Sequence, residues 1–196
     1  MSLESNWQRL YDWCVKEAPV TASAISPPAE VSVLVTAETA TGRQWPTELR
    51  TWFGLHNGTN EGKPFAQILP SFEPLSLDRV SSAWTSMTTT WADMTQDLGG
   101  SALLDEPAGT ISFTYLPAYI PIAQNDQGDL LVVDTRAGEE SGCVRDFAGE
   151  DADQSMMMWS SIDALIDEVA SAVQHSEPCF GWMPVVNDGT LDWELS

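Results

Sequence analysis

Apolar residues recur every three or four positions along several parts of the chain, which is the spacing of an amphipathic helix. The first such segment runs from Leu3 to Glu17 and ends before Pro19. A second lies within SPPAEVSVLVTAETATG, where proline precedes the apolar run and Gly42 follows it, as at the start and end of a helix. A third, TELRTWFGLHNG, has Thr47 as its N-cap. The N-terminal part of the chain is therefore predicted to be helical.

The clearest helical pattern begins at Ser76. The apolar residues that follow are three or four positions apart and form one stripe: Leu77, Val80, Trp84, Met87, Trp91, Met94 and Leu98. The segment is rich in Ser and Thr, which are poor helix formers, so packing of the stripe must hold the helix in place. Such a stripe could bind a cofactor, but we interpret it as part of the core.

After a predicted loop from Gly99 to Gly109, three segments are rich in β-branched and aromatic residues, and turn residues separate them. They run from Ile111 to Ala123, from Asp129 to Thr135 and from Gly142 to Phe147, and they predict an antiparallel meander. The run LLVV inside the second strand is apolar on both faces. We therefore expect the sheet to be covered on both sides there.

A final helix is predicted to begin at Ser160, with Asp163 three residues further on as in a capping box. The tail beyond it contains an Asn-Asp-Gly turn, which is typical of a terminal hairpin or an extended arm. Helices, then strands, then a helix indicate an α+β fold. The length of 196 residues suits one domain.

The chain is strongly acidic, with 29 Asp and Glu against eight Lys and Arg and a formal net charge of −21. Such a surface repels phosphate backbones, so direct nucleic-acid binding is disfavoured. The charge either keeps the protein soluble or attracts a basic partner.

Three cysteines without a CxxC pair indicate reduced, buried thiols and a cytoplasmic location. No basic leader followed by an apolar stretch begins the sequence, and no apolar run approaches the roughly 20 residues needed to cross a bilayer. Export and membrane association are therefore not expected.

The sequence contains no motif of a nucleophilic enzyme, a zinc site or a phosphate-binding loop. The two histidines, His56 and His175, lie at predicted helix ends, where we interpret both as caps of backbone carbonyls. The segment NDQGDLLVVDTR lacks the glycine and glutamate positions of a calcium loop. Its acidic residues are better explained by turns and strand ends. We predict no metal, no cofactor and no catalytic residue, although a pair of carboxylates for sugar hydrolysis stays open.

The order and spacing of several motifs resemble the Smi/Knr family, which was founded by fungal cell-wall assembly and killer-toxin-resistance regulators and belongs to the SUKH superfamily. The motifs are PTELRTWFGLHNG, a Trp-bearing helix, YIPIAQNDQGDLLVVDTRAGEESGCV and WSSIDALIDEV. The residues that match the family pattern in structural positions are Pro46, Asn57, Gly58, Gly128, Asp129, Asp134 and Gly138. The helical segment near 75–109 is longer than in the family pattern, and the arm near 176–196 is extra.

The resemblance implies one α+β domain with a curved antiparallel sheet and helices packed around it. It also implies a non-enzymatic protein that either neutralises a toxin, such as a basic nuclease, or regulates cell-wall synthesis through protein contacts. A carboxylate-based enzyme acting on cell-wall carbohydrate and a small-ligand sensor are the alternatives. The first needs two carboxyls about 5–10 Å apart beside an aromatic groove, and the second needs a deep apolar pocket.

A cluster of acidic residues next to the sheet is the predicted partner-binding face, with a solvated loop as the other interpretation. It comprises Glu139, Glu140, Asp146, Glu150, Asp151 and Asp153, with Arg145 as its basic neighbour.

Overall fold

The computed structural model of the chain describes residues 2–60, 66–150, 154 and 157–196. Its seven α-helices in this part of the chain are α1 (Leu3–Glu17), α2 (Pro19–Ala24), α3 (Val31–Thr41), α4 (Thr47–Leu55), α5 (Leu77–Thr90), α6 (Ala92–Asp97) and α7 (Ile162–His175), with a 3-10 helix at Gly100–Leu104. The strands are β1 (Glu73–Pro74), β2 (Tyr119–Gln124), β3 (Leu130–Asp134), β4 (Val144–Phe147), β5 (Met157–Trp159), β6 (Trp182–Asn187) and β7 (Thr190–Leu195).

Strands β1 to β5 form one antiparallel sheet in sequence order, and β6 and β7 form a separate hairpin. The predicted α+β class and the meander are therefore confirmed. Register shifts in β2 between Pro121 and Ala123, and in β4 between Val144 and Arg145, mark irregular points of the sheet. Such bulges bend a strand and increase its twist.

The first predicted strand is too long at its N-terminal end. It was expected from Ile111, but β2 begins at Tyr119. Phe113 has a positive φ of 57°, and the Tyr119 amide donates to the Leu116 carbonyl, so the backbone before β2 turns instead of extending. The edge strands β1 and β5 were not predicted, because two or three residues are too few to show an alternating pattern.

The apolar run in β3 lies in the core as expected. Residues Leu130, Leu131, Val132 and Val133 are each at most 1% exposed. Helix α5 packs on β2, α7 packs on β5, and α1 packs along α7. Helices thus cover the sheet in the way that a strand without a polar face requires.

The long helix predicted from Ser76 is broken at Trp91 into α5 and α6. Ser76, where the pattern begins, is the N-cap of α5. The apolar stripe, however, becomes exposed towards its C-terminal end. Leu77 and Val80 are buried, whereas Met94 and Leu98 are 46% and 43% exposed. Hydroxyl groups along α5 donate to carbonyls one turn earlier, which weakens and bends helices. The core interpretation therefore holds only for the first half of the stripe.

Two predicted helix caps are off by one residue. Thr47 is the first helical residue of α4, and Pro46 is its N-cap. At α7 the N-cap is Ser161, whose hydroxyl accepts from the Ala164 amide. The Glu48 carboxylate accepts from two further free amides of the first turn, so α4 itself caps α7.

The C-terminal tail is a hairpin, one of the two forms that the Asn-Asp-Gly turn predicted, and it is hydrogen-bonded to the N-terminal helices. The Leu191 amide donates to the Thr21 hydroxyl at 2.8 Å, and the Val20 amide donates to the Gly189 carbonyl. The indole of Trp193, which is buried, donates to the Gln67 carbonyl. Pro19, which ends α1, is also the first residue of α2, a helix that the sequence pattern did not predict.

All three cysteines are free and buried, as expected. Among the described residues, no helix combines the length and apolar character needed to cross a bilayer.

Candidate functional site

The residues that carry the family pattern near the N-terminus join α4 to α5. The Asn57 side-chain oxygen accepts from the Leu77 amide, the first of α5. Gly58 has a positive φ of 69°, and a Cβ there would lie 2.4 Å from the carbonyl carbon of Leu75. Any side chain at this position would therefore collide with backbone.

Asn125, Gly128 and Asp129 lie in the β2–β3 turn. The Asn125 side-chain oxygen accepts from the Gln127 and Asp129 amides, and its amide group donates to the Asp129 carboxylate. Gly128 has a φ of 94°, which glycine adopts without strain. This turn orients the end of the sheet that borders the cleft described below.

Asp134, at the end of β3, is the centre of a buried ionic network. Its carboxylate lies 2.7 Å from Arg136 and 3.7 Å from Arg145, and all three side chains are at most 1% exposed. It also accepts from the backbone amides of Gly109 and Arg136. Both guanidinium groups lie over the Tyr119 ring, at 5.5 and 5.4 Å. The sequence pattern predicted Asp134 at a strand end but not the two arginines beside it, because no local pattern shows that a charged side chain is buried.

His56 is not the carbonyl cap that the sequence predicted. Its ring is fully buried, lies parallel to the Trp7 ring at 4.3 Å and meets the Trp52 ring edge-on at 4.1 Å. Its Nδ1 accepts from the Gly58 amide, which requires the neutral ring. Burial lowers the pKa of His56 to about 3. His175, by contrast, contacts the Ser171 carbonyl at the end of α7, as predicted.

The structure describes four of the six residues of the predicted acidic face. Glu139 and Glu150 are exposed in loops, Glu140 is half-buried in the turn after β3, and Asp146 lies on β4. Asp151 and Asp153 lie outside the described residues. Arg145 is not a surface neighbour of this group, since it pairs with Asp134 inside the protein. Because neighbouring residues of a strand point to opposite faces, Asp146 faces away from that network.

Asp146 lines a cleft of about 290 Å³ at the edge of the sheet. Its walls come from the turn before β1, the β2–β3 turn, β4, β5 and the start of the C-terminal hairpin. The described lining residues are Pro70, Ser71, Phe72, Asn125, Gln127, Asp146, Met158, Trp159, Phe180 and Trp182. Of these, Asp146 is the one carboxylate.

The aromatic rings of the cleft are fixed by their neighbours. The Trp159 indole donates to the Glu168 carboxylate of α7 at 2.7 Å. The Phe180 ring lies 4.8 Å from the Trp159 ring and is nevertheless 50% exposed. An exposed aromatic ring of this kind offers apolar contact area, and aromatic residues are enriched at protein interfaces.

The Asp146 carboxylate is poorly solvated. Its Oδ1 is buried and has no hydrogen-bond partner among the described residues. Burial, with a smaller effect from the negative charge of Asp129, raises the pKa of Asp146 to about 6. A buried unpaired carboxylate is destabilising, so it is a place where a cation gains by binding.

Two larger hollows are less well equipped for chemistry. One of about 450 Å³ lies between α1 and the Pro27-Pro28 segment, and one of about 430 Å³ lies between Gly109, Glu140 and Met157. In the part of the chain that the structure describes, no group of three His, Cys, Asp or Glu side chains could hold a metal ion.

A model of the SMI1 / KNR4 family (SUKH-1) matches residues 28–168, more than two thirds of the chain. The chain belongs to this family. No curated protein matches the sequence. Membership in the SUKH-1 family points to an immunity or regulatory protein that acts by binding partners. Asn125, Asp146 and Trp159 lie inside the matched range, whereas Phe180 and Trp182 lie beyond it.

Proposed function

We propose that this SUKH-1 protein is a non-enzymatic binding domain that neutralises a basic protein toxin, such as a nuclease, in the cytoplasm. The observation that supports it is the cleft around Asp146, where aromatic rings surround a partly desolvated carboxylate whose Oδ1 has no hydrogen-bond partner among the described residues. Interface hot spots have this character, with aromatic anchors around a desolvated centre.

The overall charge supports a basic partner. A formal net charge of −21 attracts a cationic protein over roughly a Debye length of 8–10 Å and accelerates the encounter. The same charge opposes direct contact with a nucleic acid. An acidic inhibitor would therefore recognise a nuclease through the basic surface that the nuclease uses to bind its own substrate.

The cleft supports binding better than glycoside hydrolysis. That reaction requires two carboxyl groups about 5–10 Å apart across the substrate. Asp146 has no carboxylate opposite it among the described lining residues, and the nearby Asp129 is engaged by the Asn125 side chain. A role in regulating cell-wall synthesis would use the same binding surface with a different partner.

Co-expression with the product of the neighbouring gene tests this function. If that product is a toxin, we expect the protein to restore growth of the host and to co-elute with the toxin from a sizing column. The complex should weaken as salt is raised from 0.05 to 0.5 M (about a threefold shortening of the Debye length). A toxin that still kills, with no complex at either salt, would refute toxin neutralisation. Restored growth without a complex would refute action by binding.

A further inference from the structure

We propose that the cleft around Asp146 is a receptor for one arginine side chain of the protein partner, and that the C-terminal arm (residues 176–196) supplies its aromatic wall. This inference rests on the proposed binding function and specifies its chemistry. In this proposal, a carboxylate and aromatic faces that meet at one edge of the sheet recognise a cationic group of the partner.

The carboxylate of Asp146 lacks a donor among the residues that the structure describes. Its Oδ1 is buried and has no hydrogen-bond partner in that part of the chain, and Asp129 adds negative charge beside it. A guanidinium group carries its N–H donors in a planar fork that matches a carboxylate. Binding would therefore remove an unfavourable feature of the free protein as well as form a charged pair.

The aromatic walls favour arginine over lysine. Phe180, Trp182 and Trp159 border the cleft, and a planar, weakly hydrated guanidinium stacks on such rings whereas an ammonium group keeps its water more strongly. The protein uses the same combination in its core. There, Arg136 and Arg145 lie over the Tyr119 ring beside Asp134.

The size of the cleft fits one side chain. Its volume of about 290 Å³ lies at the lower limit of the roughly 300–1,000 Å³ found for drug-sized ligands. A chain of sugar units would extend well beyond it. A side chain inserted from a protein surface would fill it while the acidic exterior faces the rest of the partner.

Two residues that line the cleft have a strained backbone. Ser71 and Phe180 have positive φ values of 65° and 53°, a region that residues other than glycine seldom adopt. Phe180 and Gly181 are the central residues of a tight turn in which Cys179 and Trp182 exchange backbone hydrogen bonds. Asn-Gly is the preferred pair for a turn with two positive φ values. Strain of this kind concentrates at ligand clamps, and here it holds a phenyl ring at the mouth of the cleft.

The C-terminal arm adds residues to the cleft that lie outside the range matching the family. Phe180 and Trp182 lie beyond the residues that match the family, whereas Asp146 lies within them. The family portion thus contributes the carboxylate and two rings, Phe72 and Trp159, and the arm completes the wall. We infer that the arm determines which basic partner is accepted.

Titration of the intact protein with Nα-acetyl-arginine amide tests the proposal, with the isosteric but neutral citrulline analogue and the lysine analogue as controls. The readout is the tryptophan indole signals in nitrogen-15 NMR spectra at pH 7.5, assigned with single Trp→Phe variants. We expect saturable shifts at Trp159 and Trp182 with a Kd of about 1–30 mM, because one side chain contributes only a few kcal/mol. Citrulline should cause no saturable shift, and lysine should bind more weakly than arginine.

Matched variants locate the binding site. Asp146→Asn should weaken arginine binding at least about tenfold, as loss of a charge-assisted pair does. Asp126→Asn removes the same charge from an exposed position outside the cleft lining and should change nothing. Phe180→Ala should weaken binding several-fold. The proposal is overturned if wild-type protein shows no saturable shift, if citrulline or lysine binds as tightly as arginine, or if Asp146→Asn binds normally.

Failure of this test is distinguishable from failure of the proposed function. The titration contains no partner protein, and the co-expression experiment requires no occupied cleft. Toxin neutralisation without arginine binding would place the interface elsewhere on the molecule. If Asp146→Asn does not fold, the comparison of arginine with citrulline on the wild-type protein still decides.

Discussion

The ring of Phe180 lies 4.8 Å from the ring of Trp159, so the C-terminal arm contacts the edge of the family sheet next to Asp146. The contact is made by a residue with a positive φ of 53°. A residue that tolerates the left-handed region would relieve this strain if it replaced Phe180. Its presence therefore indicates that the ring itself is needed.

Replacing Phe180 by Asn and by Ala separates backbone strain from ring contacts. Both variants lose the ring, but Asn tolerates a positive φ better than Ala does. We expect Phe180→Asn to be more stable than Phe180→Ala by about 0.5–1 kcal/mol in urea unfolding. Both should lose arginine binding to the same extent. Equal stability would show that the turn is not strained in solution.

Asp134→Asn should destabilise the protein by about 3–5 kcal/mol, because it removes the buried carboxylate that pairs with both Arg136 and Arg145. Urea unfolding at pH 7 measures the loss. Asp129→Asn is the control, since Asp129 is half-buried in a turn and should cost less than about 1 kcal/mol. Similar losses in the two variants would contradict the central role of the Asp134 network.

Gly58→Ala should cost at least about 2 kcal/mol more than Gly42→Ala. The two glycines have similar positive φ values of 69° and 62°, so the strain of adding a Cβ there is nearly the same. Only at Gly58 would that Cβ meet backbone, 2.4 Å from Leu75, whereas nothing lies within 4 Å at Gly42. Thermal and urea unfolding of both variants check the difference. Equal losses would mean that the α4–α5 junction can move apart.

His56 should make the protein less stable in acid. Its folded pKa of about 3 lies below the value of 6.5 for a free histidine, so the unfolded chain binds a proton that the folded protein does not. Stability from this group is complete above pH 6.5 and falls by up to about 1.4 kcal/mol for each pH unit below it. The rings of Trp7 and Trp52 and the Gly58 amide contact the imidazole, and none of them carries charge.

Urea unfolding between pH 7.5 and 4 measures this slope. His56→Asn should flatten it, because asparagine has no proton to gain while it can still accept from the Gly58 amide. His175→Gln is the control, since His175 is exposed, and should leave the slope unchanged. A wild-type slope in both variants would show that His56 titrates normally.

Asp146→Asn should stabilise the protein at pH 7.5 while it weakens arginine binding at least about tenfold. The folded pKa of Asp146, about 6, lies above its ordinary value of 3.8, so ionisation costs stability as pH rises through this window. Asp129 is the charged group that faces it, and the described lining of the cleft is otherwise uncharged. We expect the melting temperature to rise by about 1–3 °C, a small gain because the carboxyl is partly solvated.

Most of the gain should disappear by pH 4, because the folded carboxyl is then protonated and the pH is close to the ordinary pKa of 3.8, so little of the ionisation cost remains. Differential scanning calorimetry at pH 7.5 and pH 4 checks both values. Lower stability of the variant at pH 7.5 would indicate that Asp146 is a structural residue and not a binding residue.

The amino-acid sequence by itself determined the elements whose signals are local. The three-to-four spacing of apolar residues predicted α1 and α7, and β-branched and aromatic runs between turn residues predicted the β2–β4 meander. The Asn-Asp-Gly turn indicated a hairpin or an arm at the C-terminal end, and the order of the motifs indicated the family. These predictions succeeded because an amphipathic element is specified by residues within a few positions of one another. The sequence did not predict the helix break at Trp91, because the apolar spacing continues through that residue. The hydrogen bonds that the Ser and Thr side chains make to backbone carbonyls are not visible in the apolar spacing.

Only the tertiary structure decided which charged and polar groups are buried, and with what neighbours. Thr110 accepts from Arg145 across 35 residues of sequence, and Phe180 reaches Trp159 from an arm beyond the family region. In the sequence, Asp146 was one of six acidic residues of a predicted binding face, and His56 was interpreted as a cap of backbone carbonyls. Their pKa values and their roles depend on rings and carbonyls that folding brings from distant segments, because desolvation is set by everything that surrounds a group and not by its neighbours in the chain.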